Sequence, residues 1–298
     1  MKYQFKLKEI DTKGVEIFDS LVASVSRVEE CGDMAKLVYK YSQSAQVKQY
    51  VKQRFTQYLL DNFPLLSMDE FGLQNQKLLN IYCNRAVKKL DISKDIDVFS
   101  EIAGRYIDEG VTLLHYDRLY TLFQAVRNSL AVDGDIVELG VYRGGSLKFI
   151  AEVLGTLGGK KKLVGFDTFK GHVVITDHDG QIHKVGMFKN TGGGEAVSAY
   201  IDDPRVSLVA GDASETFAEY AKGAQGGISL AHIDMDVYQP TADTLPIAFE
   251  LLAPRGIILL DDYGFTSCPG AKQATDDFLR QVSVTSFHLL TGQMIIVK

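Results

Sequence analysis

The stretch Asp135-Ile-Val-Glu-Leu-Gly-Val-Tyr-Arg-Gly-Gly-Ser146 decides how the rest of the chain is read. Asp135 to Leu139 is a short, mostly apolar run of strand length. Gly140 and Gly144 then permit a tight turn and close backbone approach. Leu147, Ile150, Ala151 and Leu154 continue at helical spacing. A strand that feeds a helix through such a turn presents unpaired N–H groups to an anion. The pattern is E-x-G-x-x-x-G and not the G-x-G-x-x-G of dinucleotide enzymes, because the second glycine comes four residues after the first.

Downstream of Asp133-Gly134 the same alternation of short apolar runs and amphipathic stretches continues. It predicts strands at Asp135–Leu139, Lys162–Phe166, Val206–Val209, Ile228–Ile233, Gly256–Leu260, Thr285–Leu290 and Met294–Val297. Helices or loops between the first five imply parallel crossovers and a doubly wound α/β sheet. Only Thr291-Gly292-Gln293 separates the final two, so they form a hairpin and the last strand runs antiparallel. Upstream the period changes. Val15, Phe18, Leu21, Val22 and Val25, then Val51, Phe55 and Leu59, repeat at helical spacing, and Pro64 marks a break. Ile96 to Gly110 reads as one more short helix, and Tyr116 to Leu130 as a helix leading into the first strand. The expected domains are therefore 1–110, helical, and 111–298, carrying the sheet.

Composition excludes several classes. With 298 residues, 46% hydrophobic and 23% charged, the chain is globular in character. A formal charge of −6 argues against a nucleic-acid partner, which needs a basic face. No apolar run approaches a membrane span, and MKYQFKLKEID at the start alternates where a signal peptide would have an apolar core. Cys31, Cys83 and Cys268 are far apart in no CxxC or Cys/His spacing, which points to reduced thiols, a cytoplasmic location and no thiolate zinc site.

Two acidic clusters carry the chemistry. His232-Ile-Asp-Met-Asp-Val-Tyr238 holds Asp234 and Asp236; Gly256-Ile-Ile-Leu-Leu-Asp-Asp262 holds Asp261 and Asp262. Each lies at the C-terminal end of a strand, where an open α/β sheet places its ligand crevice. Carboxylates gathered there are costly unless something positive sits between them, and a hard divalent cation such as Mg²⁺ fits an all-oxygen set of Asp234, Asp261 and Asp262. Asp236 alternates with Asp234 along extended chain and could face the substrate as a general base rather than the metal. The glycine turn suits a cofactor without a pyrophosphate, such as S-adenosylmethionine. The helix N-terminus and Ser146 would then receive the methionine carboxylate, with Glu138 near its amino group. A generic strand–turn–helix corner fits the same residues. Asp167 after the second strand can accept from ribose hydroxyls or cap the next helix. Asp212 can border an adenine, with Ala213 offering its N–H, or cap the helix Ser214–Tyr220. His232 reads as a packed, satisfied histidine and Cys268, lacking a paired histidine in sequence, as structural. Thr241 reads as the N-cap of Ala242–Leu252, Pro240 and Pro246 as residues of a helix start, and Asp243, Asp276 and Asp277 as exposed first-turn charges. The polar connection Gly171–Tyr200, with His172, His178 and His183, is either a lid or a disordered surface insertion.

Taken together, VELGVYRGGS at 137–146, GFDTFKG at 165–171, GDASETF at 211–217, IDMDVYQPT at 233–241, IILLDDYG at 257–264 and GAKQATDDF at 270–278 resemble the macrocin O-methyltransferase (TylF-type) family of S-adenosylmethionine-dependent enzymes. The first motif also resembles that of catechol O-methyltransferase. The resemblance implies a class I methyltransferase fold, with Glu138, Gly140, Val141, Tyr142 and Ser146 at the methionine part of the cofactor. It further implies Asp167 and Thr168 at ribose, and Asp212 and Ala213 at adenine. Asp234 would border the cofactor and join Asp261 and Asp262 around Mg²⁺, and Asp236 would be the base, with Asp234 beside it in catalysis. The expected substrate is a sugar-containing or polyhydroxylated natural product with neighbouring hydroxyls, and the expected assembly a homo-oligomer. The helical N-terminal domain would serve as lid, substrate contact or oligomer contact. A metal-dependent phosphohydrolase would account for the aspartates but not for the turn or Asp167. A non-catalytic adenosyl-ligand-binding module is the third reading.

Overall fold

The structure is a computed structural model that describes residues 9–23, 28–62, 94–108, 112–224 and 226–298. Val25, Pro64 and Cys83 lie outside the described residues. The chain divides into two compact units, Met1–Ala86 and Val87–Lys298. In the first, a π-helical turn Ile10–Gly14 leads into α1 (Val15–Ala23), followed by α2 (Val28–Tyr41) and α3 (Ala45–Asn62). Phe18, Met34, Val38, Val51, Phe55 and Tyr58 form its core, with the Phe18 ring edge-on to Phe55. Helical spacing in the sequence thus reports a small helical unit with its own apolar centre.

The second unit begins with α4 (Lys94–Asp108) and α5 (Tyr116–Ser129). The expected boundary near residue 110 would have grouped α4 with the N-terminal helices. Instead Phe99 packs on Tyr116, Tyr120, Phe123 and Phe149, and Arg105 and Tyr106 both bond Glu152. Each fully buried aromatic of this kind stabilises by roughly 1.5–3 kcal/mol, so α4 stays with the sheet unit.

β1 (Asp135–Leu139), α6 (Gly145–Thr156), β2 (Leu163–Asp167), α7 (Gly194–Ile201), β3 (Val206–Ala210), α8 (Ala213–Gly223), β4 (Ile228–Ile233), α9 (Tyr238–Leu251), β5 (Leu252–Leu260), α10 (Pro269–Leu279), β6 (Thr285–His288) and β7 (Met294–Val297) complete the unit. The sheet has seven strands in the order β3-β2-β1-β4-β5-β7-β6. Strands β1 to β5 pair in parallel; β7 runs antiparallel to both β5 and β6. This is the doubly wound, seven-stranded arrangement that the patterning predicts. Strand order reverses between β1 and β4, which places the ligand crevice at their C-terminal ends.

Several local expectations change. β5 starts at Leu252, ahead of Gly256, through an irregular stretch in which Ile228 pairs Leu252 and Leu230 already pairs Ile257. α9 starts at Tyr238, capped by Val237, so Thr241 lies inside the helix, where its hydroxyl donates to the Val237 carbonyl at 2.8 Å. Pro240 falls in the first turn, but Pro246 sits mid-helix, where its ring nitrogen has no proton for the turn before it. Asp276 and Asp277 belong to the C-terminal half of α10, not to its first turn, and accept from Tyr263 and Tyr238 respectively. Asp243 accepts from Ser214 at 2.9 Å and so links α9 to α8.

Candidate active site

The glycine turn after β1 is shaped by its neighbours in the chain. Gly140 has φ +91°, and a Cβ there would strike the Asp234 carbonyl oxygen, so only glycine lets the ends of β1 and β4 lie this close. The N–H of Asp234 donates to the Leu139 carbonyl at 2.9 Å across the same gap. Gly144, at φ +84°, is the N-cap of α6 and brings no capping side chain, so the first N–H groups of α6 are open to a ligand.

Asp167, the last residue of β2, is tied to this turn. Its Oδ2 accepts from the N–H groups of Val141 (2.9 Å) and Tyr142 (2.8 Å), and its Oδ1 from Phe169 (2.6 Å). A carboxylate has about four lone-pair sites, which leaves room for roughly one further donor on Oδ1. The Thr168 hydroxyl donates to the Gly171 carbonyl at 2.8 Å and closes the following loop. Tyr142 has φ +50°, and its hydroxyl donates to Asn190 at 2.7 Å. Asp212 is the N-cap of α8, accepting from Ser214 N–H at 2.9 Å, and Ala213 behind it is buried.

Glu138 is enclosed beneath the turn, with 0% of its surface exposed. The ring of His232, its neighbour on β4, donates from Nδ1 to Glu138 Oε1 at 2.8 Å, while Oε2 has no partner. Burial raises the Glu138 carboxyl above its ordinary value. Burial opposes charge on His232 too, but the Asp261 carboxylate, 3.9 Å from an Nε2 that has no hydrogen-bond partner, and the hydrogen bond to Glu138 outweigh it and hold the imidazolium up to about 10. His232 is packed, as expected, and it is also a buried charge.

Asp234, Asp261 and Asp262 converge as expected: one oxygen from each lies within 4.8 Å of the others. The three differ in compensation. Asp261 is fully buried yet held at about 2; burial works against its ionisation, and Arg118, with His232 and Gln293, overcomes it. Arg118 of α5 donates to Asp261 Oδ2, and Gln293 Nε2 donates to Oδ1 at 2.7 Å. Burial raises Asp234 and Asp262 well above the ordinary carboxylate range, Asp261 adding most to the first and Asp236 to the second. A divalent cation would relieve this like-charge crowding. The donor set is all oxygen, and the residues fit Mg²⁺. Sequence reasoning missed Arg118 and Gln293. Arg118 looks like one polar residue on an amphipathic helix, and Gln293 like part of a hairpin turn.

Asp236 does not reach its place by strand alternation, because β4 has already ended. It adopts φ +63°, a sparsely populated conformation for a non-glycine residue, fixed by its N–H donating to Asp262 Oδ2 at 2.8 Å. Its carboxylate stays beside the cluster, with one oxygen within 4.8 Å of an Asp262 oxygen, and also faces the connection after β2. There His172 Nε2 stands 3.8 Å from Asp236 Oδ2. Burial lowers the His172 pKa below its ordinary value. Cys268 Sγ lies 3.5 Å from Asp236 Oδ1 and 3.7 Å from His183 Nε2, so the fold supplies the histidine that sequence spacing did not. Burial, then Asp262 and Asp236, push this thiol far above its ordinary value, and it stays protonated and unreactive.

The connection itself is a docked loop. A short 3₁₀ turn, Asp177–Asp179, is closed by reciprocal bonds between Thr176 and Asp179. Asp179 is 1% exposed and accepts from Tyr238 N–H at the start of α9 at 2.6 Å. His172 and Met187 pair through the backbone at 3.0 Å.

The chain is similar to several known proteins. The family model described as macrocin-O-methyltransferase (TylF) matches residues 105–288, more than half of the chain. A Streptomyces olivaceus protein, 8-demethyl-8-(2,3-dimethoxy-alpha-L-rhamnosyl)-tetracenomycin-C 4'-O-methyltransferase, is 30% identical over 206 residues, covering 64% of this chain and 77% of its own. Mycinamicin III 3''-O-methyltransferase of Micromonospora griseorubida is 29% identical over 177 residues, covering 53% of this chain and 66% of its own. The calicheamicin methyltransferase CalS11 shares the fold, with TM-score 0.54 and 24% identity over 86% of this chain and 94% of its own. The O-methyltransferase NovP does so with TM-score 0.52 and 21% identity over 63% and 82%.

Proposed function

Because the chain belongs to the macrocin O-methyltransferase family, we propose that it transfers a methyl group from S-adenosylmethionine to a sugar hydroxyl of a glycosylated natural product, with Mg²⁺ at Asp234, Asp261 and Asp262. The sugar-directed names of the Streptomyces and Micromonospora relatives support the substrate class. The observation that carries the metal is the convergence of half-buried Asp234 with buried Asp261 and Asp262, one oxygen of each within 4.8 Å of the others. The family match favours methyl transfer over a phosphohydrolase or a non-catalytic binding module.

Bound S-adenosylmethionine supplies an electrophilic methyl carbon and a neutral thioether leaving group, and bound Mg²⁺ supplies positive charge that favours the alkoxide form of a hydroxyl. The chain's own residues do the rest. The uncapped N-terminus of α6 and Ser146 receive the methionine carboxylate, and the turn Gly140-Val141-Tyr142, braced by Asp167, sets the position of the donor. Asp167 and Thr168 border ribose; Asp212 and Ala213 border adenine. Asp236 takes the hydroxyl proton as the oxygen–carbon bond forms and the sulfur–carbon bond breaks, and Asp234 next to it holds the acceptor oxygen in line. The loop pinned by Asp179 keeps bulk water from this site. A homo-oligomer in the cytoplasm completes the reading. Separately, no described helix is long and apolar enough to cross a membrane.

The test is incubation with S-adenosylmethionine and rhamnosylated or other glycosidic acceptors, with Mg²⁺ or EDTA. The expected result is a methyl mass gain on the sugar, lost with EDTA. Transfer that persists in EDTA overturns the metal, and hydrolysis of phosphate esters without any methyl transfer overturns the reaction.

A further inference from the structure

We infer that His172, His183 and Asp236 form a second metal site, selective for a zinc-class ion, whose occupation clamps the 171–193 loop onto the end of β4 and withdraws Asp236 from the substrate. The inhibitory consequence rests on the proposed role of Asp236; the binding does not.

One ligand atom from each of the three residues lies within 4.8 Å of the others. His172 Nε2 and His183 Nδ1 face each other at 3.2 Å, and His172 Nε2 is 3.8 Å from Asp236 Oδ2. A tetrahedral zinc ion with bonds of about 2.0–2.1 Å to nitrogen sets its ligand nitrogens about 3.3 Å apart, so the histidines already stand at ligand spacing. The far side of His183 is committed: Nε2 donates to the Ser267 carbonyl at 2.9 Å. This bond leaves Nδ1 as the lone-pair nitrogen and orients the ring, which is what an outer carbonyl does for a metal-bound histidine. Without metal, a single proton on His172 Nε2 bridges the two rings, and an ion would replace it. The rings are held in advance of binding. His183 is 5% exposed, and the backbone of His172 is bonded to both Gly186 and Met187. Two nitrogen donors and one carboxylate favour zinc or cobalt over Mg²⁺, whereas the three-aspartate cluster next door suits Mg²⁺ and is filled by it in excess. Three protein ligands leave a fourth position for water or a substrate oxygen.

The experiment is titration of Co²⁺, as a spectroscopic probe, and of Zn²⁺ by calorimetry, with Mg²⁺ in excess to fill the aspartate cluster. Wild type is expected to bind one Co²⁺ per chain with the strong visible absorption of four-coordinate cobalt. His172→Gln and His183→Ala, checked for folding by circular dichroism, are each expected to weaken binding by at least tenfold. In methyl-transfer assays, Zn²⁺ is expected to inhibit wild type and to inhibit both variants at least tenfold less potently. Co²⁺ binding that Mg²⁺ abolishes, or that both histidine variants retain unchanged, overturns the site. Binding without inhibition of an active enzyme overturns its effect on Asp236. Absence of methyl transfer under every condition, with Co²⁺ binding intact, would instead overturn the proposed reaction.

Discussion

The guanidinium of Arg118 is ion-paired with the carboxylate of Asp261, a residue 143 positions further along the chain. Through this pair α5 reaches the end of β5 and neutralises the most deeply buried of the converging aspartates, leaving Asp234 and Asp262 without an equivalent partner. A cation that enters the cluster therefore meets one compensated and two crowded carboxylates.

Removing Arg118 strands the Asp261 charge in the interior. Arg118→Met is expected to destabilise the metal-free protein by about 3–5 kcal/mol, the cost of breaking a buried pair from one side. Saturating Mg²⁺ should recover part of that loss. Chemical denaturation of wild type and variant, with and without Mg²⁺, measures both quantities; an unchanged midpoint would show that Arg118 is not the counter-ion.

Asp262→Asn relieves like-charge crowding and removes a ligand together. The variant is expected to be more stable than wild type in EDTA, by about 2–4 °C in Tm for each kcal/mol gained, and to lose methyl transfer by at least a hundredfold. Affinity for S-adenosylmethionine should change little. Thermal melts, turnover and calorimetry on the same sample test this, and an active variant is the adverse outcome.

The stability of the metal-free protein should fall as pH rises. Asp234 and Asp262 have folded pKa values above their unfolded values, so across that interval the unfolded chain sheds protons that the folded chain keeps. His232, raised from 6.5 to about 10, acts in the same direction: its contribution is full below 6.5 and lost as pH climbs through about 10. Asp261 acts oppositely, contributing above 3.8 and losing that as pH falls towards about 2, outside the neutral range. In EDTA the Tm should decline as pH rises above 3.8 and on through the 6.5 to about 10 range of His232, and Mg²⁺ should flatten the carboxylate part of the slope because it favours the ionised carboxylates. A Tm that rises with pH in EDTA would contradict the assignment.

Asp236→Asn should lower kcat by about 10²- to 10⁴-fold, the usual contribution of a general base, with KM for the acceptor nearly unchanged. Steady-state kinetics at saturating Mg²⁺ measure the split. A loss confined to KM would make Asp236 a binding residue instead.

Much of this was legible in the residues because it is encoded locally. β1, β4 and β7 begin and end where their apolar runs do, and the convergence of Asp234 with Asp261 and Asp262 follows from adjacent parallel strands ending side by side. What was not legible depends on backbone geometry or on distant partners. Asp236 is aimed by a positive φ, where strand alternation was the natural reading. Thr241 has the chemistry of a cap, but the helix begins earlier, at Tyr238. Arg118, Gln293 and the His172–His183 pair acquire meaning only when α5, the final hairpin and the long loop are folded onto the strand ends.

The most direct measurement is anomalous diffraction from a crystal grown with S-adenosylmethionine and Mn²⁺ in place of Mg²⁺. The expected result is one anomalous peak bonded to Asp234, Asp261 and Asp262, facing the donor methyl across the end of β4. A peak elsewhere, or three carboxylates with no ion between them at saturating Mn²⁺, would contradict the account.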